Sequence, residues 1–422
     1  MFKRIVSLLW LYYDLLPSFI KKLCKGGRHK NNILILNHHF DQDIQALHNA
    51  NINTSIFIYE LSAYRLNLIF RRFLRASKDE WYSFYNDNNI AKRERYVVFF
   101  SKFILPLFRI LKIKLFATPS DLFPYLRDII PILKKEGIIT VVIDKEGTIS
   151  PYYIDYYSKE IKEMYPFISD FMIVWSARQK KFWTKAGVDS DKIYICGQPR
   201  SDFWFKKNIH KILQLPGKLK NGRKTVLFFS FDKNAYIPES LYLSGKVTWD
   251  VLFQEAHDTF FNVANNFPNV NFIIKTHPQQ RMSDVKYIKD RANKCSNIFV
   301  YEGANLSNSL IYNSDIIIGF QTTALIEAMM VNKPIIYIFW GTAVMWKDNL
   351  IPFHDSGALY VANSSQSLYS IVVDMINEKY NFSEDKTRIL KQKEFVEEYM
   401  YQCNGESALR TLQTINDLIN AY

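Results

Sequence analysis

The stretch Asn313–Ile338, NSDIIIGFQTTALIEAMMVNKPIIYI, decides the reading of the fold. Its first apolar run, DIIIGF, is short and β-branched, as a strand covered on both faces must be. Gln321, Thr322 and Thr323 then open a helix that runs through Met330. Asn332-Lys333-Pro334 stops that helix and starts the next strand. Strand, turn, helix and strand in such close order form the repeating unit of a doubly wound parallel sheet. The first turn of the helix offers unpaired N–H groups and the positive end of a dipole, so Thr322 and Thr323 suit a phosphate. The same threonines are also ordinary helix caps.

The alternation extends outward on both sides. Thr225–Phe231, Val270–Thr276, Asn297–Glu302, Asp315–Phe320 and Pro334–Phe339 form one strand series, with Ala358–Ala362 as an edge strand. An earlier series comprises Asn32–Asn37, Thr54–Glu60, Ile139–Asp144, Phe171–Ser176 and Lys192–Gly197. The polar, basic stretch Lys206–Lys224, with Pro216, Gly217 and Gly222, reads as the linker between them. The expected architecture is α/β: two Rossmann-like, doubly wound domains facing a cleft, covering residues 1–210 and 223–385. Helices in 386–422 are expected to cross back onto the first domain. Ligands of such sheets bind outside the strand carboxyl ends.

With 422 residues, 48% of them hydrophobic and 23% charged, the chain can bury a large core, which excludes a mainly disordered protein. The four cysteines, Cys24, Cys196, Cys295 and Cys403, form no CxxC pair, which excludes a disulfide scaffold or a thiolate zinc site and fits a cytoplasmic protein. Lys and Arg outnumber Asp and Glu by 54 to 41, a net charge of +13 that implies an anionic partner. Two basic, aromatic stretches suggest which one. Met1–Lys25 is interrupted by Asp14 and Pro17, too short a run to span a bilayer and without a signal-peptide cleavage site. Arg95–Ala117 sets Lys102, Arg109, Lys112 and Lys114 among bulky apolar residues. This pattern favours the interface of an anionic membrane, with core helices bearing solvated lysines as the alternative. No nucleic-acid-binding module accompanies the charge.

Further candidates fall at strand ends. IIKTHPQQ closes a strand with Lys275, Thr276, His277 and Pro278; the proline blocks further pairing and leaves the histidine at the sheet's carboxyl edge. ILNHHFDQD places His38, His39, Asp41 and Asp43 after the first strand. VVIDKEGTISPYY places Asp144 and Glu146 after another, with Gly147 at the turn. VLFFSFDKNAY places Ser230 and Asp232 at the start of the second series. Asp41-Gln42-Asp43 has the form of a metal-binding DxD, but the expectation is an acceptor-side role and no metal or cofactor.

The segments Ser314–Ile336, Ile273–Pro278 and ICGQPRSDFW (Ile195–Trp204) resemble the signature segments of GT-B-fold enzymes of bacterial surface polysaccharide synthesis. Two branches are similar: the β-Kdo and related transferases that use CMP-sugars, and the CDP-glycerol glycerophosphotransferases. The GxPRxD pattern of the latter matches Gly197, Pro199, Arg200 and Asp202. They usually carry Asp-Tyr-Ser-Ser where this chain has Phe320-Gln321-Thr322-Thr323, a departure that counts against a polyol-phosphate donor. The resemblance covers about Asp144 to Phe339. It implies that His277 and the Thr322/Thr323 helix start hold the donor phosphate, with Glu327 near the ribose. Lys275, Pro278, Gln321, Ser230 and Arg200 are further donor-side candidates from their own chemistry and their places near strand ends.

Sugar transfer needs a base for the acceptor hydroxyl, or a carboxylate nucleophile with a second acid/base group. Asp232 is the expected nucleophile or donor-side stabiliser and Glu146 the acid/base, with Asp41 as the base if the reaction inverts. His38, His39 and Asp43 line the acceptor side. Each carboxylate could instead cap a turn, and Arg200 could pair with a neighbouring acid. The expected protein transfers a sugar, Kdo from CMP-Kdo, to a lipid-linked or glycan acceptor at the inner membrane face. A CDP-polyol phosphotransferase and a UDP-sugar 2-epimerase are the alternatives.

Overall fold

The computed structural model describes residues 31–51, 55–74, 89–145, 147, 149–215, 219, 222–234, 248–278, 280–303 and 306–422. Met1–Lys25 and the candidate acid/base Glu146 lie outside them. The chain divides into two units. One runs to Gly147, resumes over Asp155–Phe203 and closes with Tyr399–Tyr422; the other comprises Thr148–Ile154 and Trp204–Glu398.

The first unit holds six parallel strands, β1 (Asn31–Asn37), β2 (Ile56–Ser62), β3 (Ile113–Thr118), β4 (Ile139–Ile143), β5 (Phe171–Val174) and β6 (Ile193–Ile195), in the order β2-β1-β3-β4-β5-β6. Residues alternate across a strand, so neighbours enter different cores. Leu34, Leu36 and Phe116 join one core with residues of α2 (Ala63–Leu74), α3 (Ile90–Phe99) and α4 (Leu105–Ile110), which follow α1 (Asp41–Ala50) in the chain. Ile33, Ile35, Leu115 and Ala117 join the other, with Ile44 and Leu47 of α1.

Strand β3 was not expected. It lies at the end of the stretch read as a membrane-facing helix, and no glycine or proline separates helix from strand. Lys112 makes the turn itself, at φ 51°. Lys114 is the exposed residue in an otherwise buried strand, and its Nζ donates to Asn31 Oδ1 at 2.8 Å.

The second unit holds β7 (Thr225–Phe229), β8 (Asn271–Lys275), β9 (Ile298–Tyr301), β10 (Ile316–Gly319), β11 (Ile335–Ile338) and β12 (Tyr360–Ala362), ordered β12-β11-β10-β7-β8-β9. All six were legible in the sequence. This is the dinucleotide-fold order, in which the sequence of strands reverses between β7 and β10. Its helices include α5 (Asp250–Asn266), α6 (Met282–Ala292), α7 (Thr323–Met330), α8 (Ser365–Ile376) and α9 (Lys386–Met400).

The expected return of 386–422 to the first unit starts later than the sequence suggested. Most of α9 stays with the second unit, where Gln392 Nε2 donates to the carbonyls of Lys333 (2.9 Å) and Ala358 (3.2 Å). The final helix, α10 (Ser407–Ala421), belongs to the first unit and buries Ala408, Leu412, Ile415, Leu418 and Ile419 in the core that α1 also enters. Each large aliphatic side chain so buried contributes about 2 kcal/mol. Asn416 Oδ1 accepts from Asn31 Nδ2 and Ser55 Oγ, both at 3.2 Å, fixing the helix against the start of β1.

Candidate functional site

The register of the second sheet aligns its carboxyl edge. Lys275 of β8 faces Phe229 of β7, which faces Gly319 of β10. Thr276-His277-Pro278, Ser230-Phe231-Asp232 and Phe320-Gln321-Thr322 therefore leave the sheet side by side, with strands about 4.8 Å apart. Phe231 and Phe320 pack ring to ring at 5.1 Å, and Phe320 also meets Trp249 and Tyr337, forming an apolar floor. Gly319 lets α7 sit close: a Cβ there would lie 2.8 Å from Leu325 Cδ2.

Several candidates rise from this floor. Lys275 is buried, and its Nζ donates to the Thr276 carbonyl at 2.9 Å. Burial lowers its pKa, with Glu302 opposing. His277 reaches solvent, yet partial desolvation and then the Lys275 charge lower its pKa, while Asp232 pulls it up. Its imidazole is thus neutral at pH 7 and able to donate one hydrogen bond. Thr322 is the N-cap of α7, its Oγ1 accepting from Ala324 N at 3.3 Å; its hydroxyl proton remains for an outside acceptor. Thr323 and Glu327 lie one turn apart on α7. Asp232 Oδ1 accepts from Asn234 N at 2.8 Å, a turn cap of the kind the sequence left open.

Two expected donor ligands are engaged elsewhere. Gln321 is buried: its Oε1 accepts from Ile351 N (2.8 Å) and its Nε2 donates to Tyr337 Oη (2.7 Å) and the Ile351 carbonyl (3.1 Å). It ties down a loop. Ser230 is also buried, with its hydroxyl between His257 Nε2 (3.0 Å) and Gln280 Nε2 (2.9 Å). His257 and Gln280 were not singled out from sequence. A histidine four residues after Phe253 in an apolar helix is the signal that was there to read.

In the first sheet the strand order reverses between β1 and β3. His38 leaves β1 and packs on Phe123 at 4.6 Å. Burial, then Lys145 and His39, lower its pKa to about 4. His39 takes the left-handed conformation, φ 52°, which turns the chain into α1. A cavity of about 450 Å³ opens here, lined by His38, His39, Asp41, Glu60 and Tyr64 among others. Asp41 is exposed on its rim and Oδ1 accepts from Asn37 Nδ2 at 2.8 Å. Glu60, which pairs with His48 at 3.0 Å, was missed by the sequence reading.

Asp43 points away from that cavity, which separates the two acids of the DxD. It is buried, and it accepts from both Arg200 N and Arg200 Nη1 at 3.1 Å. Arg200 in turn lies 5.1 Å over the Trp175 ring. The rest of the GxPRxD segment is equally occupied. Asp202 caps α10, accepting from Ser407 N (2.9 Å) and Ala408 N (2.7 Å). Gly197, at φ 85°, leaves room for Ser407, whose Oγ would lie 2.6 Å from an added Cβ. Asp43 and Arg200, expected on the acceptor and donor sides, are thus paired with each other. Gly147 has a similar use: an added Cβ would fall 1.9 Å from Trp175 Cε3, so close approach to the indole requires glycine.

Residues 155–417 match the family described as CDP-Glycerol:Poly(glycerophosphate) glycerophosphotransferase. The chain belongs to that family of transferases. A teichoic acid poly(ribitol-phosphate) polymerase of Bacillus spizizenii is 22% identical over 255 residues, covering 58% of this chain but 37% of the polymerase. Among solved structures, the UDP-GlcNAc 2-epimerase of Neisseria meningitidis, bound to UDP-GlcNAc, is similar over 92% of this chain and 100% of its own, with a TM-score of 0.54 and 12% identity. A glycosyltransferase of Rickettsia africae is similar over 92% of this chain and 98% of its own, with a TM-score of 0.51 and 11% identity. These two likenesses are of fold.

Proposed function

We propose that this protein is a transferase of bacterial surface-polymer synthesis that takes polyol phosphate from a CDP-linked donor. The observation that supports it is the single carboxyl edge shared by Lys275, His277 and the start of α7, in a chain of the glycerophosphotransferase family. The acceptor hydroxyl attacks the polyol-bearing phosphorus, CMP leaves, and the hydroxyl proton passes to a base. His277 and the α7 amides hold the departing phosphate, and Lys275 supplies positive charge beneath it. Desolvation and the Lys275 charge keep the His277 imidazole neutral against the opposing pull of Asp232, so it carries the single N–H it donates.

The sequence alone favours a CMP-linked acidic sugar, Kdo; membership of the glycerophosphotransferase family supports the polyol phosphate instead. One observation favours the sugar. Phe320, in place of the usual aspartate, is buried under Phe231 and Trp249 and brings no carboxylate to the donor. Incubation with CDP-glycerol, CDP-ribitol and CMP-Kdo separates the readings. Phosphorus transferred with the polyol supports ours, and Kdo in a product without transferred phosphorus replaces it.

The acceptor is lipid-linked and is met at an anionic membrane. Val98, Phe103 and Ile110 are exposed along α3, the π-helical segment Phe100–Ile104 and α4, with Lys102 exposed beside them. Among the described residues no helix is long and apolar enough to cross a bilayer. Replacing the three apolar residues by serine is expected to weaken binding to phosphatidylglycerol vesicles and leave the fold intact. Unchanged binding would remove this surface from the account.

A further inference from the structure

His277 is held in place by a chain of hydrogen bonds that begins inside α5. His257, fully buried, lies among Phe228, Phe231 and Phe253, the last with its ring 4.0 Å away. Its Nδ1 is 2.7 Å from the Phe253 carbonyl, which can only accept. Nδ1 therefore carries the proton. Burial, opposed by that carbonyl, holds the imidazole pKa down at about 4, so the ring is neutral at pH 7 and Nε2 is bare. Bare Nε2 must accept, so the Ser230 hydroxyl donates to it at 3.0 Å.

The direction then propagates. With its proton committed, Ser230 Oγ accepts from Gln280 Nε2 at 2.9 Å. That fixes the orientation of the Gln280 amide, whose Oε1 accepts from the backbone N–H of His277 at 3.1 Å. Gln280 N closes the turn on the His277 carbonyl at 3.0 Å. Ser230, Gln280 and His257 are all buried, so each link is short of water and costly to leave unmade.

We infer that His257 is a positioning residue for the donor-phosphate site: through Ser230 and Gln280 it sets the polarity of a hydrogen-bond chain that fixes the turn bearing His277. The inference deepens the proposed function and rests on it only for what His277 binds. The chain makes one polarity self-consistent, and a phenyl ring at 257 removes the acceptor that starts it. Glutamine at 257 can restore an acceptor near the position of Nε2.

Two measurements on the ligand-free protein test it. In ¹⁵N-histidine-labelled protein at pH 7, His257 is expected to show the Nδ1–H tautomer; the Nε2–H tautomer would overturn the inference. Amide exchange of His277 is expected to speed up about tenfold in Ser230→Ala and in His257→Phe, no further in the double variant, and to recover in His257→Gln. Unchanged exchange in Ser230→Ala, a small substitution, overturns the relay even if His257→Phe does not fold. CDP titration of the same proteins separates the two layers. If wild type and His277→Ala bind CDP alike while the exchange results hold, the donor reading fails and the relay stands. If His277→Ala loses CDP, Ser230→Ala is expected to bind it about tenfold more weakly; affinity as in wild type overturns the inference.

Discussion

The two sheets reverse their strand order at comparable places, yet they use their most recognisable motifs in opposite ways. In the first unit, Arg200 and Asp202 of the GxPRxD segment face inward, one paired with Asp43, the other capping α10. In the second, His277 is exposed at the sheet edge and Thr322 caps the start of α7. One segment is a clasp, the other the proposed site. Both are strings of glycine, proline and charge at a strand end, so local sequence does not separate them. What marks the first is that Asp43 and the start of α10 claim its charged side chains.

That contrast can be broken by substitution. His277→Ala is expected to lower turnover by two to three orders of magnitude, about 3–4 kcal/mol of transition-state stabilisation, and leave the urea midpoint unchanged. A shifted midpoint with normal turnover would make His277 part of a clasp too. The next effect is on stability. Below about pH 6.5 the unfolded chain protonates His257, whereas the folded chain does not until about pH 4. Stability is therefore full above 6.5 and falls by about 3 kcal/mol as pH drops to 4. Urea titrations at the two pH values in wild type and His257→Phe should show that part of the slope vanish in the variant.

The remaining two concern the clasp. Gly147→Ala drives a methyl into the Trp175 indole and is expected to cost about 2–3 kcal/mol of folding stability, read by urea denaturation. Asp202→Ala removes two bonds from the first turn of α10 and is expected to cost about 1–2 kcal/mol. Its turnover per folded molecule should match wild type, and a large loss there would bring the first motif into the chemistry.

Much of the fold was legible because buried parallel strands are dense in β-branched residues and are followed by visible helix starts. All six strands of the second sheet, and the edge residues His277 and Thr322, follow from that pattern. Strand β3 did not, because Lys112 made a turn that composition assigns to glycine and Lys114 broke the apolar run. Partnering was the other illegible layer. Nothing near Gln321 in sequence shows that Ile351 claims both ends of its amide, or that Asp43 and Arg200 meet across 157 positions. Such pairings are made by the fold and are invisible to a local window.

The central claim is that the carboxyl edge of the second sheet holds the donor phosphate. Crystals soaked with CDP test it most directly. The diphosphate is expected within hydrogen-bonding distance of the His277 imidazole and the first turn of α7. Well-ordered CDP bound elsewhere, with that edge left to solvent, would contradict it.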